Sequence, residues 1–569
     1  MREIGKIGLN VTARSGFDKS HRNLFTGKTG TLYPILTEEV LPNSTIRLRQ
    51  AISAKLPPLA ADTFMNVQLK CEAFFVPYRL LYGGWENWLM ETPLRTAGGL
   101  TYRLQCPVLS LGYSQTPGTL ADFLGVKPSL DEPLSQVVGV NIFPFLAYHR
   151  IYDDWYRNSK IQAPLFVPAG NTPGSSGSGT ISYFYSSVAN LPFISIPDAV
   201  VGAGAAPSNV FDGTGELPPG SEKLSGYFAD GSYITSLHQR NFGLDYFTSA
   251  QPSAQRGQAR SVTMSVSGTS VQVQASDGGD VPVLSSADAI TTEFTIAALR
   301  AQNSLQQFCE RNNYSYRASD YYYINYGSRL RSGLASRAVY LGSQVLDVYS
   351  NTVMQNAENA AANLRNPFNS VGAQYGSASV KGSNTLVDNF TTDEPGILMV
   401  MASLVPKVTY NTGLRRYLKH FTREGAQTDL ANAVLQNVGD QPIYDYELVG
   451  VEGSGQVFGY TDRYAEWMDH PDEIHGYLKD GQTLQAFALQ RSFDASLSPI
   501  NGNFLQIPQD YLDQVMATSV GVTEFTFWAE SYFDFKVVQP LHEYSIPSLQ
   551  DPAYEHGHRI TVTKNGGSL

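Results

Sequence analysis

Charge is what this chain has least of. Only 16% of its 569 residues are Asp, Glu, Lys or Arg, against roughly 25% in typical soluble domains, so little of the surface is built to face water. Acids outnumber bases, and the formal net charge is -11. Phosphate binding rests on an excess of lysine and arginine, so the chain is excluded as the main neutraliser of a nucleic acid; a separate basic component would have to do that. Cysteine is nearly absent. The three present, Cys71, Cys106 and Cys309, are odd in number and scattered, which fits neither a disulfide framework nor a zinc site; they read as core thiols from a reducing compartment. No apolar run approaches the ~18 residues of a spanning helix. The opening Met-Arg-Glu-Ile-Gly-Lys leads into no apolar stretch, which predicts no membrane insertion. No fixed-period repeat emerges, which disfavours solenoids and propellers.

Motifs of catalysis and cofactor binding are missing as well. Gly27-Lys28-Thr29 would need a glycine at position 22 to be a phosphate loop, and that residue is Arg22. The glycines at 453, 455 and 459 are spaced wrongly for a dinucleotide loop, and no βαβ alternation surrounds them. His470 and His475, like His556 and His558, lack the i, i+4 spacing of a helical zinc site. The carboxylate pairs Asp153-Asp154 and Asp472-Glu473 are adjacent, so on a helix they diverge; they read as solvated or as partners of Arg157 and Arg463. Gly112-Tyr113-Ser114 is followed by Thr116 where a nucleophile elbow needs glycine. The expectation is a non-enzyme with no catalytic residue, no metal ligand and no cofactor.

Aromatic rings are plentiful, with 33 tyrosines and 28 phenylalanines. Rings combined with few charges suit surfaces buried against other protein, although strands also favour them. Period-two alternation is clear where Val67, Leu69, Cys71, Ala73 and Phe75 share one face and Gln68, Lys70 and Glu72 the other, with Pro77 ending the strand. Ile46, Leu48 and Ile52 alternate with Arg47 and Arg49, predicting a strand with a basic exposed side. Residues 262–266 and 271–273 read as a hairpin around Ser-Gly-Thr-Ser. Phe533, Phe535 and Val537 predict a late strand, and the run 397–405, apolar on both faces, a strand covered on both sides. Strands from both ends of the chain suit a Greek-key or jelly-roll sandwich.

Two helices interrupt this pattern. Pro144 marks the start of one, with Phe145, Tyr148, Tyr152 and Trp155 on its stripe; residues 294–311 form the other. Both stripes read as core packing. Residues 169–231 turn to Gly, Ser, Pro and Ala and predict a long insertion, and residues 366–389 form a second polar, Gly- and Asn-rich stretch.

Residues 74–89, which include Phe75, Pro77, Trp85 and Trp88, resemble the major capsid proteins of the Microviridae, especially the gokushovirus group. Further blocks follow in that family's order. They are residues 144–157 with Tyr152 and Trp155, residues 245–252 with Tyr246 and Phe247, Leu299-Arg300 with Tyr340-Leu341-Gly342, and residues 458–466 with Tyr460 and Arg463. Two departures stand out: residues 312–320 replace an Arg- and Gly-rich run, and Ala338-Val339 replaces Pro-Glu.

The resemblance implies an all-β dominated fold, an eight-stranded viral jelly roll with long loop insertions and a few helices, occupying residues 1–569 as one domain. It further implies a structural protein of the virion, made in the cytoplasm of a bacterial host. Sixty copies would close, through pentameric intermediates, into a T=1 icosahedral shell around circular single-stranded DNA. Implied partners are a small basic DNA-binding virion protein, a minor pilot protein and a host cell-surface receptor. Composition makes residues 169–231 the first candidate for a surface projection and residues 258–290 the second. Arg14, Lys19, Arg22, Arg47 and Arg49 are candidates to face the DNA, with Phe17 and Phe25 placed to stack on bases; salt bridges between subunits are the competing role for these cations. The alternative function is a receptor- or glycan-binding jelly roll, which particle size would distinguish.

Overall fold

Alternation of apolar and polar side chains builds a sandwich of two antiparallel sheets. The computed structural model describes residues 14–81, 85–90, 93–97, 100–104, 108–111, 117–126, 138–162, 165, 210–211, 236–253, 262–266, 269–273, 322–324, 326–327, 337–354, 374–411, 413–419, 440–462, 464–494, 496–517 and 525–541. The sandwich strands are β1 (Ser15–Asp18), β2 (His21–Gly27), β3 (Tyr33–Val40), β4 (Thr45–Lys55), β5 (Val67–Pro77), β6 (Val339–Asp347), β7 (Tyr349–Met354), β8 (Gln374–Thr391), β9 (Gly396–Pro406) and β10 (Phe527–Gln539).

One sheet runs β1-β10-β4-β8-β7, with β2 also on β10; the other runs β6-β5-β9-β3. β1 and β2 lie end to end along β10, on Lys536 to Gln539 and Phe527 to Phe533 respectively. They act as one edge strand broken at Lys19 and Ser20. With β1 and β7 set aside, four strands face four: β2, β10, β4 and β8 against β3, β9, β5 and β6. First and last strands pair, and from β2 to β10 successive strands of the eight cross between sheets except β5 and β6, which are neighbours in one sheet; this is jelly-roll connectivity.

The inner faces follow from the sequence pattern. β4 buries Ile46, Leu48, Gln50, Ile52 and Ala54 while exposing Arg47, Arg49, Ala51 and Lys55. β10 alternates the same way over its full length, with Phe527, Phe533, Phe535 and Val537 inside. Gln50 and Ser531 are polar yet fully buried on this inner face, and Gln50 Nε2 donates to Ser531 Oγ at 2.9 Å. Every residue of β9 is buried. Leu398, Val400, Ala402 and Leu404 enter the core between the sheets, while Ile397, Met399 and Met401 enter a second core on the far side. That double burial is why the run reads as apolar without a period.

The second core exists because a helix lies on the outer face of the β5–β9 sheet. Helix α1 (Phe143–Ile151) has Pro144 in its first turn, where a missing N–H costs nothing, and continues into a π-helical turn at Tyr152–Tyr156. Phe74, Val76 and Tyr78 meet Phe143, Phe145, Tyr148 and Ile151 there.

Most of the polar stretch 366–389 is strand: residues 374–391 are β8, the longest strand among the described residues. Its exposed side carries Ser, Lys, Asn and Thr, and polarity on that face obscures the alternation. Residues 78–338 lie between β5 and β6, so both candidate projections belong to one insertion. Residues 169–231 fall outside the described residues except Val210–Phe211, a short strand. Within 258–290 the hairpin Val262–Val266 and Thr269–Val273 is present, Val262 opposite Val273. The helix expected at 294–311 and the segment 312–320 also lie outside the described residues.

Candidate assembly and genome-facing surfaces

The two sheets differ in what covers them. α1 blankets the β5–β9 sheet, whereas among the described residues nothing packs on the outer face of the β10–β4–β8 sheet. Cross-strand register places Lys536 opposite Arg47, Asp534 opposite Arg49 and Trp528 opposite Lys55 on that bare face. Arg22 and Tyr532 form the next pair outward, and Lys381 lies opposite Ser53 on the other flank. Trp528 and Tyr532 are exposed between these cations. The cations are partly balanced: Arg22 Nε stands 2.7 Å from Glu530, and Lys536 Nζ 3.5 Å from Asp534.

Not every predicted basic residue joins this group. Arg14 is exposed and donates to Thr45 Oγ1 at 2.7 Å at the end of the sheet. Lys19 is committed to an ion pair with Glu38, which turns its charge toward β3. Phe25 cannot stack on bases, since it is buried against Phe527 and Phe123; the alternation that exposes Leu24 and Thr26 turns it inward. Phe17 is half-buried. The exposed rings on this face are Trp528 and Tyr532 of β10.

The ring-rich blocks gather in two places. Phe75 and Pro77 are buried at the end of β5; Trp85 and Trp88 sit in the short helix Trp85–Leu89 with ring centres 5.0 Å apart, Trp85 4.7 Å from Tyr78. Tyr152 stacks at 4.0 Å on His238. Trp155, 38% exposed, donates from Nε1 to Ala338 O at 2.9 Å. Asp154 accepts from the Ala338 N–H at 2.7 Å. A proline has no such N–H, so a proline at 338 could not make this contact. Asp153 and Asp154 are therefore not solvated: each is paired, with Arg157 at 2.6 Å and Arg150 at 3.1 Å.

The second gathering brings the 245–252 block onto the chain between β9 and β10. Gln251 and Tyr460 exchange backbone hydrogen bonds at 2.7 Å, joining the 245–252 block to the hairpin Asp440–Tyr444 and Val457–Asp462. Tyr246 donates to Glu447 Oε2 at 2.9 Å, and Phe247 packs on Tyr410 at 4.9 Å. Burial raises the pKa of both Tyr246 and Glu447. Tyr246, Phe247 and Tyr460 are buried within the one chain. Arg463 lies outside the described residues, and Glu473 pairs instead with Arg415 at 2.6 Å. Cys71 is a free buried thiol, its pKa pushed up to about 12 by burial; Cys106 and Cys309 are outside the described residues.

The capsid protein (F protein) family model matches residues 6–187 and 219–549. This chain belongs to that family. Among its relatives is capsid protein VP1 of Chlamydia phage 1, 26% identical across 96% of this chain and 97% of that protein. Capsid protein VP1 of Bdellovibrio phage phiMH2K is 24% identical over 94% of the chain and 96% of its own length. Capsid protein VP1 of Spiroplasma virus 4 is 22% identical, with 95% and 96% covered. The chain is thus a structural capsid protein of the Microviridae type, and its likeness to these relatives covers 94–96% of its length. Among the described residues no group of His, Cys, Asp and Glu is disposed to hold a metal ion, and no helix is long and apolar enough to cross a membrane.

Proposed function

We propose that this chain is the major shell protein of a small single-stranded DNA phage: sixty copies assemble through pentamers into a T=1 particle around circular DNA, a structural rather than catalytic role. Closed assembly needs heterologous contacts that repeat around rotational axes. A jelly-roll sandwich gives each copy a rigid body, and the long β5–β6 and β9–β10 insertions give it contact area beyond what strands alone offer.

The observation that carries the orientation is the uncovered face of the β10–β4–β8 sheet. Arg47, Arg49, Lys55 and Lys536, interleaved with Trp528 and Tyr532, form the mixture of cations and stacking rings that suits single-stranded DNA. This face is read as the interior one, with Arg14 and Arg22 at its margin and Lys19 contributing less because of Glu38. Since the whole chain carries -11, a small basic virion protein is the proposed main neutraliser, and a minor pilot protein the further internal partner. Residues 169–231 are the proposed outward projection that meets a host receptor, with 258–290 second. Synthesis would take place in the bacterial cytoplasm.

Sedimentation and electron microscopy of the purified chain test the reading. Closed shells or their pentameric precursors are expected; a protein that stays monomeric at high concentration and binds a glycan would replace the shell reading with a receptor-binding one.

A further inference from the structure

A strand at the edge of a sheet presents unpaired N–H and C=O groups that invite a further strand, and proteins keep one away with a charge, a proline or a bulge. The sandwich uses these devices at its other edges. β1 carries Asp18 and β2 carries Arg22; β3 carries Pro34, Glu38 and Glu39; β6 is bulged between Tyr340 and Gly342. β7 has none of them. Its sequence, Tyr349-Ser-Asn-Thr-Val-Met354, holds no charge and no proline, and it pairs with β8 from Tyr349 opposite Ser379 to Met354 opposite Gln374 without a break in register. Among the described residues nothing pairs with its outer side.

This edge is held in place. Ser350 Oγ donates to Thr63 O at 3.0 Å and Thr352 Oγ1 donates to Asp62, which ties β7 to the segment that precedes β5, so a partner strand would meet an ordered edge and little ordering entropy would be lost. Tyr349, Asn351 and Val353 alternate with those residues and are exposed, Tyr349 by 68% and Val353 by 48%. Antiparallel pairing is itself two-fold symmetric, so a strand can pair with its own copy across a two-fold axis. A charged residue near such an axis meets its like, and β7 has none. Centred on Asn351, the pairing sets Tyr349 opposite Val353 of the second copy, an aromatic against a β-branched residue on each side of the axis. The two Asn351 amides, each both donor and acceptor, then face each other.

We propose that β7 is a contact between copies of this chain: β7 of a second copy pairs with it antiparallel across a two-fold axis at Asn351 and joins the two β10–β4–β8 sheets edge to edge. The occupant is a second copy because the chain belongs to a capsid protein family, and an icosahedral shell relates its copies in pairs by two-fold axes. The contact rests on the shell reading above, but not on which sheet faces the genome.

Asn351→Cys in the full-length chain tests it. Antiparallel pairing holds facing Cα atoms about 4.5–5.5 Å apart, within disulfide range, so assembled particles treated with diamide should give disulfide-linked dimers on non-reducing gels. Leu24→Cys, 64% exposed but on the bare sheet face, should not. Tyr349→Lys with Val353→Lys sets like charges opposite each other and should lower shell yield about ten-fold, with the melting temperature of the unassembled chain unchanged. Tyr349→Glu with Val353→Lys sets opposite charges across the axis and should restore shells; within one strand the two positions are ~13 Å apart, too far to pair with each other. Cross-linking of Asn351→Cys no better than that of Leu24→Cys, or shell yields alike for the two charge pairs, overturns this contact alone. A wild-type chain that stays monomeric at high concentration overturns the shell reading and this contact with it.

Discussion

His149 Nδ1 and His238 Nε2 lie 2.7 Å apart in the interior, a hydrogen bond that ties α1 to the segment returning from the long insertion. Tyr152 and Tyr148 lie parallel to the His238 ring, and the Tyr148 hydroxyl accepts from His238 N at 2.7 Å. Burial lowers the His238 pKa from 6.5 to about 3. In the unfolded chain the imidazole takes up its proton near 6.5, while in the folded chain it stays neutral, so the stability it supports is complete above 6.5 and falls as pH drops toward 3. Each unit in that window costs about 1.4 kcal/mol. His238→Asn should flatten the dependence of the melting temperature on pH between 6.5 and 3; an unchanged slope would refute the assignment.

Glu72 and Arg240 form a second tie to the same segment. Arg240 donates twice, at 2.6 and 3.2 Å, and Tyr156 donates to the same carboxylate at 2.5 Å. Both charged side chains are mostly buried, so removing one leaves the other uncompensated. Glu72→Gln should cost ~3–5 kcal/mol in denaturant unfolding, and Glu72→Met with Arg240→Met should cost less than either change alone.

At Gly342 the two sheets pack tightly together. A Cβ there would lie 2.2 Å from the Leu386 carbonyl oxygen, a backbone atom of β8. Gly342→Ala should lower the melting temperature through overpacking worth ~1–3 kcal/mol. Gly243→Ala is the control, because nothing lies within 4 Å of its Cβ position.

Arg47 and Arg49 are exposed at the centre of the bare sheet face. Replacing both with glutamate should leave the melting temperature and shell formation intact while lowering the ratio of absorbance at 260 to 280 nm in purified particles. Particles with full genomes would remove these residues from the DNA-facing set.

Much of the sandwich was legible because each sheet strand with one wet face carries its own period. β4, β5 and β10 announced themselves through Ile46, Leu69 and Phe533 and their neighbours, and β9 through its lack of polar residues. β8 is hidden in the sequence because the Ser and Asn of its outer face look like a turn, and its strand character comes from pairing with β4. Phe25 was misplaced because an aromatic ring near cations carries no mark of which face it takes until its register with β10 is set.

The sequence alone determined the strands, the shortage of charge, the excess of rings and the family, since these depend on local alternation, composition and collinear blocks. Only the tertiary structure decided that one sheet is covered by α1 while the other stays bare. It alone brought Tyr246 to Glu447 and β7 to the edge of its sheet. Those relationships join residues up to hundreds of positions apart, and no local pattern encodes a contact that packing across loops creates.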